Sequence, residues 1–261
     1  MRRRPAFLAL ALLLYPLFFP LVANSQDTPL SPDEARQTLT ECDALFESRR
    51  DEPPVTEELV ERYELVAQCL PGDYEAHWKL ARAYWWAAES ASDSDEMARL
   101  GRLAYETGIE AAALAADKPE GHYYAAAGVG EWSEGIGIVR ALWEGLEDKF
   151  LTELRAAEKL SPDIFHGGPD RIWCRYYYRL PWPKRDLEKS EAHCRAALEK
   201  GPRSIRAHFY FADTLKARDR DEPAHAMLSK CLTMKPEEDY DPIDGALNQR
   251  LCRARAKEWG F

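Results

Sequence analysis

Two prolines bracket a pair of amphipathic helix patterns and so limit the folds that the chain can adopt. Pro202 and Pro236 stand 34 residues apart. Between them, Phe211, Ala212 and Leu215 present a large, a small and a large apolar residue along one face of the first predicted helix. Two such helices form a hairpin that cannot bury its apolar face alone, so the interval predicts a stack of similar hairpins.

An interval of this length is typical of one tetratricopeptide unit. Leu80, Ala81 and Tyr84 stand at the same spacing, at the large, small and aromatic positions of such a unit. The other proline-to-proline intervals are 48, 43 and 40 residues long, so the units are degenerate and carry insertions. Because no strand-like alternation exceeds four residues, we predict an all-α, tetratricopeptide-like stack of antiparallel helical hairpins over residues 26–261. A capping helix from about Pro242 to Trp259 should close its C-terminal end.

The first hairpin has a clear beginning and a predicted break. Ser31 is followed by proline at the first helical position and by Glu34, three residues after the cap. This pattern predicts a helix to about Ser48. Pro53 and Pro54 are expected to separate it from a second helix over about residues 56–70.

The N-terminus predicts an export signal. Three arginines at positions 2–4 precede an apolar run from Ala6 to Ala23, and small residues at 23 and 25 suit cleavage before Gln26. We therefore expect residues 1–25 to be a signal peptide and the mature protein to be periplasmic or secreted. An uncleaved N-terminal anchor is the alternative, because the apolar run is long.

The charge balance argues against nucleic acid and anionic membranes as partners. The leader carries three arginines and no acidic residue, which leaves residues 26–261 with 32 basic and 45 acidic side chains, a formal charge of minus 13. Such a body repels phosphate groups. The two signs alternate along helix-like segments, a pattern typical of a solvated outer face.

Aromatic residues and glycines concentrate between Gly121 and Pro183. Runs such as Trp85-Trp86 and Tyr176–Tyr178 extend too far round a helix to be core alone. Since the first helices of stacked hairpins share one concave face, we predict an apolar ligand cavity between the third and fourth units, where glycine lets a ligand approach the backbone. The predicted cavity residues are Tyr84, Trp85, Tyr123, Tyr124, Gly128, Trp132, Trp173 and Tyr177. The alternative is that these side chains form the core between helices.

Six cysteines all lie in the predicted exported part. An even number in an oxidising compartment predicts disulfides. Pairing neighbours in order gives Cys42 with Cys69, Cys174 with Cys194, and Cys231 with Cys252, each across the arms of one hairpin. The alternative is six small buried thiols.

No motif predicts catalysis, a metal or a cofactor. The six histidines include no pair three or four residues apart, and Glu222 with His225 is a single pair at i, i+3. The sequence has no G-x-S-x-G, P-loop or dinucleotide fingerprint. We therefore expect a protein that is not an enzyme.

Three segments carry a resemblance to a known family. They are GHYYAAAGVGEW at 121–132, LSPDIFHGGPDRIWCRYYYRLPWP at 160–183 and DLEKSEAHCRAALEKGP at 186–202. Together they resemble the T component of tripartite ATP-independent periplasmic (TRAP) transporters. This resemblance implies a helical-repeat body with a hydrophobic cavity or pore, a homo-oligomer, and docking to the transporter's solute-binding protein. The sequence departs from that family in lacking the lipoprotein cysteine and in placing Cys174 where a small glycine is expected.

Two functions therefore compete. In the first, the protein binds a hydrophobic or amphipathic small molecule beside a TRAP-type uptake system. In the second, it is a tetratricopeptide scaffold of the cell envelope whose aromatic concave face grips a peptide or protein partner.

Overall fold

The computed structural model describes residues 30–49 and 53–260. Within these residues the protein contains twelve α-helices, one 3-10 turn and no strand. The helices are α1 Pro32–Glu47, α2 Pro53–Cys69, α3 Tyr74–Ser90, α4 Ser94–Leu114, α5 Pro119–Ile136, α6 Ile138–Trp143, α7 Leu146–Leu160, α8 Ile164–Arg179, α9 Leu187–Lys200, α10 Ile205–Ala217, α11 Asp221–Thr233 and α12 Pro242–Glu258. The 3-10 turn is Pro236–Glu238. The predicted all-α class is confirmed.

The helices stack as antiparallel hairpins in chain order. The pairs are α1 with α2, α3 with α4, α5 with α7, α8 with α9, and α10 with α11, and each pair packs on the next. The short helix α6 lies between the arms of the third pair, and it accounts for part of that unit's extra length. This is the tetratricopeptide-like stack that the proline spacing predicts.

The first helix begins where the sequence predicts, whereas the start of the second helix differs from the prediction. The Ser31 backbone N–H donates to Glu34 Oε2 at 2.8 Å, and the Glu34 N–H donates to Ser31 Oγ at 3.4 Å, which completes a capping box. Pro53 and Pro54 do not precede the second helix but form its first turn. Proline is tolerated there because the first turn's N–H groups have no partner within the helix.

Helices α4 and α5 approach one another through glycines. A Cβ built on Gly128 would lie 2.7 Å from the backbone oxygen of Gly101 and 2.7 Å from the Cβ of Ala104. A Cβ on Gly101 would lie 2.4 Å from the backbone nitrogen of Trp132. Gly128 therefore serves helix packing and not, as predicted, the approach of a ligand to the backbone.

Helix α12 also reaches back to the beginning of the stack. Arg49, which follows α1, is 2% exposed and donates to Asp241 Oδ2 at the start of α12, at 2.5 Å. Its guanidinium lies 4.0 Å from the ring centre of Trp86. Ile243 and Leu247 of α12 pack against the core of the first two hairpins. The last helix is thus a bridge between the two ends of the stack as well as the predicted cap.

Two of the three predicted disulfides are present. Cys174 and Cys194 are bonded with their Cα atoms 5.0 Å apart. Cys231 and Cys252 are bonded with their Cα atoms 6.4 Å apart.

The predicted pair Cys42–Cys69 is wrong, because both thiols are free. Cys42 lies five residues before the end of α1, whereas Cys69 lies sixteen residues beyond the start of α2. At 1.5 Å per residue they are offset by about 16 Å along the antiparallel arms.

The predicted leader and its cleavage site lie outside the described residues. Within 30–49 and 53–260, every helix is too short or too polar to span a bilayer.

Candidate ligand-binding cavity

The concave face of the stack encloses a cavity of about 780 Å³. Its wall comes from α3, α5, α8, α10 and α12, from the inserted helix α6 with the start of α7, and at its margin from the end of α1 and the start of α4. This volume is within the usual range of small-molecule sites.

One side of the cavity is aromatic. Tyr124 of α5 lies with its ring centre 5.8 Å from that of Trp85 on α3. Tyr123 and Phe165 meet edge to face at 4.8 Å. Phe165 and His166 hold positive φ angles of 50° and 56° at the start of α8, a region that residues other than glycine seldom occupy. This irregular turn places Phe165 against α5.

A second apolar wall comes from the insertion in the third unit. The side chains that line it are aliphatic or aromatic: Ile138, Ala141 and Leu142 on α6, and Leu146 and Phe150 on α7. The cavity thus has two separate apolar surfaces.

Three of the eight predicted cavity residues line this space: Trp85, Tyr123 and Tyr124. Gly130, one turn beyond Ala126 on α5, lines it as well, and a Cβ there would meet no atom within 4 Å.

The other five predicted residues do not line it. Gly128 lies in the α4–α5 contact described above. The Tyr84 hydroxyl donates to Glu64 Oε1 at 2.6 Å, on the side of α3 that faces α2. Trp132 packs beside Tyr105 of α4, with ring centres 6.3 Å apart.

Trp173 and Tyr177 belong to a second aromatic cluster, between α7, α8 and α9. Their rings stack at 5.8 Å, and the Trp173 indole N–H donates to Glu158 at 3.2 Å. The ring of His193 on α9 lies 5.9 Å from Trp173. The aromatics of the middle segment therefore divide between a cavity surface and an interhelical core.

The cavity also has a charged wall, which the sequence did not predict. Arg206 of α10 donates to Glu89 of α3 through both terminal nitrogens, at 2.5 and 2.6 Å, and to Asp244 of α12. Burial opposes the charge on Arg206, but Asp244 and Glu89 outweigh it, so the pKa of this guanidinium is raised. Burial also raises the pKa of Glu89, although Arg206 opposes that rise. This network ties two hairpins and the last helix together across the cavity.

Glu131 stands beside this network without a partner. Within the part of the chain that the structure describes, its carboxyl group makes no hydrogen bond and no ion pair, and it lines the cavity. Burial, and then the neighbouring charge of Glu89, raises the pKa of Glu131 to about 8, against the opposing effect of Arg206. The spacing of Tyr124, Ala127, Glu131 and Glu134 along one stripe of α5 was the only sequence signal for this position.

The remaining charges on the wall are mostly matched. Glu134 pairs with Arg179. Arg175 donates to buried Asp213 at 3.0 Å. Nine carboxylates and five arginines line the cavity in all, so its wall carries an excess of negative charge.

The arrangement fits binding of an amphipathic molecule, with apolar surfaces for a hydrophobic part and charges for a polar part. In the described residues, no three His, Cys, Asp or Glu side chains are grouped to hold a metal ion.

The comparisons with known proteins establish the fold. The sequence matches no protein-family model and no curated protein at a significant level. The structure is similar to that of a thermophilic TPR protein of Thermus thermophilus, with a TM-score of 0.63 and 17% identity over 84% of this chain and 99% of that chain. A weaker similarity is to YrrB, a TPR protein with an unusual peptide-binding site, with a TM-score of 0.43 and 12% identity over 87% of this chain and 93% of that chain. The first of these similarities shows that the chain has a TPR-like fold.

Proposed function

We propose that this protein is a non-enzymatic, periplasmic helical-repeat protein that binds a hydrophobic or amphipathic small molecule in its concave cavity. The observation that carries the proposal is the cavity itself, about 780 Å³ in volume, with Trp85, Tyr123 and Tyr124 on one side and an aliphatic wall on the other. An apolar chain of about ten carbons buried there would contribute about 8 kcal/mol before the costs of association. With no costs subtracted, about 8 kcal/mol corresponds to a Kd of about 1 μM, so net binding is reversible and weaker than this limit.

The test fills the cavity without touching the core. Gly130 lines the cavity and has open space where a side chain would begin. Gly130→Trp should therefore weaken binding of the neutral fluorophore N-phenyl-1-naphthylamine while leaving the fold intact. Gly72→Trp is the matched control, because Gly72 also has open space around it but lies in the turn between α2 and α3.

The exposed surface offers a competing site that this design separates. Trp143 and Trp182 are each 90% exposed and lie outside the cavity wall. If the fluorophore binds equally well to wild type and to Gly130→Trp, it occupies such a surface and the cavity proposal fails. If wild type takes up no fluorophore, the proposal fails as well.

The periplasmic location rests on the leader and is consistent with the two disulfides. Disulfides persist in oxidising compartments and are rare in the cytosol. Mass spectrometry of the protein from a periplasmic fraction should find a mature chain that begins at Gln26. Full-length protein retained in the membrane fraction would instead indicate the uncleaved anchor.

The partner we propose is the solute-binding protein of a TRAP-type transporter. This finer proposal depends on the sequence resemblance in residues 121–202 and on the cavity that the resemblance implies. A neighbouring gene pair that encodes a solute-binding protein and a membrane permease is expected. The two purified proteins should then form a complex in analytical ultracentrifugation, and absence of a complex with and without solute would contradict the partnership. Sedimentation of the protein alone tests the homo-oligomer that the resemblance implies.

A peptide-binding scaffold remains the second candidate, because stacked helical hairpins present a concave face suited to extended partners. The two candidates differ in their response to the cavity-filling variant. A scaffold that grips its partner along the rim would retain that partner in Gly130→Trp, whereas small-molecule binding would be weakened.

A further inference from the structure

Among the cavity carboxyl groups that are not exposed, Glu131 is the one with neither a hydrogen bond nor an ion pair in the described residues, and this makes it the most informative feature for ligand class. Glu131 lies on the cavity side of α5, and its carboxyl group has no hydrogen-bond or ion-pair partner in the described part of the chain. The neighbouring Arg206 is already shared by Glu89 and Asp244. A half-buried carboxylate without a partner is costly, and a cationic ligand would supply the missing partner.

We propose that the cavity selects amphipathic molecules that carry a cationic ammonium group, and that the carboxylate of Glu131 pairs with this group. The inference rests on the proposed function and adds the ligand's charge. The apolar part of the ligand would lie along α6 and α7, on Ile138, Leu142 and Phe150, which line the same cavity.

The balance of charge on the wall supports a cation and not an anion. Nine carboxylates and five arginines line the cavity. Four of the arginines, Arg82, Arg175, Arg179 and Arg206, are already paired with carboxylates. Arg171 is the fifth, and it donates to the backbone oxygen of His166 at 2.8 Å. An anionic head group would therefore find one arginine, itself engaged, among excess acids.

The groups that face Glu131 make its pairing sensitive to pH. They are Glu89 on α3, Glu134 on α5, Arg175 on α8, and Arg206 and Tyr210 on α10. Because burial and Glu89 hold the pKa of Glu131 near 8, the carboxyl group is largely protonated at lower pH. A ligand of fixed positive charge must displace that proton, so its affinity should rise as pH increases toward this pKa and level off above it.

The experiment compares two amphiphiles of equal chain length below their micellar concentrations. Decyltrimethylammonium carries a positive charge at every pH, and decanoate is ionised throughout the range used. Calorimetric titrations at fixed ionic strength from about pH 6 to about pH 9 should show decyltrimethylammonium binding more tightly than decanoate, with an increase of at least about tenfold across the range. Decanoate should show no such increase.

Glu131→Gln is the deciding variant, and Glu47→Gln is its matched control. Glu47 also lines the cavity, but it lies exposed at the rim. Removing the Glu131 charge should weaken binding of the cation by at least about tenfold at about pH 9 and abolish its pH dependence. The rim variant should bind both amphiphiles as wild type does.

Each alternative result has a separate meaning. If Glu131→Gln binds decyltrimethylammonium as tightly as wild type, or if decanoate is the tighter ligand, the cationic assignment is overturned while the cavity stands. If neither amphiphile binds, both the proposed function and the cationic assignment are overturned. If Glu131→Gln does not fold, the wild-type pH profile decides: a flat profile for decyltrimethylammonium overturns the assignment, and a rise supports it. If a lysine-containing peptide binds with the same pH dependence while decyltrimethylammonium does not bind, the ammonium group belongs to a peptide partner. That result would overturn the proposal of a small-molecule ligand.

Discussion

Replacing Gly128 with alanine tests the packing of α4 on α5, the closest helix contact described above. The added Cβ would lie 2.7 Å from Ala104 Cβ, 2.7 Å from the Gly101 oxygen and 2.7 Å from the Tyr105 nitrogen. Carbon contacts are optimal at about 3.5–4.0 Å, so the helices must separate by about 1 Å. Overpacking of this kind costs about 1–3 kcal/mol or more, and backbone neighbours place it at the upper end, since they cannot rotate away. Alanine returns about 1 kcal/mol through its helix propensity, which leaves a net loss of about 2 kcal/mol.

Thermal unfolding followed by circular dichroism measures this loss. For a chain of this size the melting temperature should fall by about 4–8 °C. Gly130→Ala, two residues away on the same helix, is the matched control, because its Cβ meets no atom within 4 Å. It should gain about 1 kcal/mol and melt about 2–4 °C higher. Equal melting temperatures for the two variants would refute the assignment of Gly128 to helix packing.

Three further predictions concern other parts of the molecule. Burial and Glu89 raise the pKa of Glu131 to about 8 in the folded protein. Proton binding to Glu131 therefore stabilises the folded state, by the full amount below the ordinary glutamate pKa, and this stabilisation is lost as pH rises through about 8. Glu131→Gln should therefore melt higher than wild type at about pH 9 and no higher at about pH 4. Its gain in the free energy of unfolding at about pH 9 has an upper limit of about 5 kcal/mol, which cavity water reduces to about 1–2 kcal/mol. Identical melting curves for variant and wild type at both pH values would contradict this prediction. Without reduction, an alkylating reagent should modify half-buried Cys69 in the native protein but not Cys42, because Cys42 is fully buried and burial raises the pKa of its thiol to about 11. Modification of both cysteines at the same rate would contradict the burial of Cys42 in the core. Arg49→Ala should lower the free energy of unfolding by about 2–3 kcal/mol, at the low end for a broken buried ion pair, because Asp241 is partly exposed. The same variant should speed hydrogen exchange in α12, and unchanged exchange there would show that the ends of the stack are not joined.

The repeat pattern predicted most of the architecture because it has a simple physical cause. Proline positions, the capping box at Ser31 and the 34-residue interval each fix a helix boundary locally, so the stack of hairpins is predictable from the sequence. The same rule placed Trp85 and Tyr124 on the concave face, where the structure has them.

The rest of the site depends on contacts that no local pattern records. Trp173 and Tyr177 turn toward α9 and not the cavity, a direction set by the packing of α8 between its neighbours. Phe165 reaches the cavity through a left-handed turn that helical periodicity does not include. The pair of Arg206 with Glu89 joins residues 117 positions apart. That distant pair leaves Glu131 as the cavity carboxyl group that is not exposed and has no hydrogen bond or ion pair in the described residues.

A crystal structure of the protein with decyltrimethylammonium would show where the ligand lies relative to Glu131. We expect one molecule in the concave cavity, with its ammonium nitrogen within about 5 Å of a Glu131 carboxylate oxygen, since the methyl groups set the approach. Its chain should lie against Leu142 and Phe150 on the wall formed by α6 and α7. An empty cavity, with the amphiphile on the exposed surface at Trp143 instead, would contradict the account.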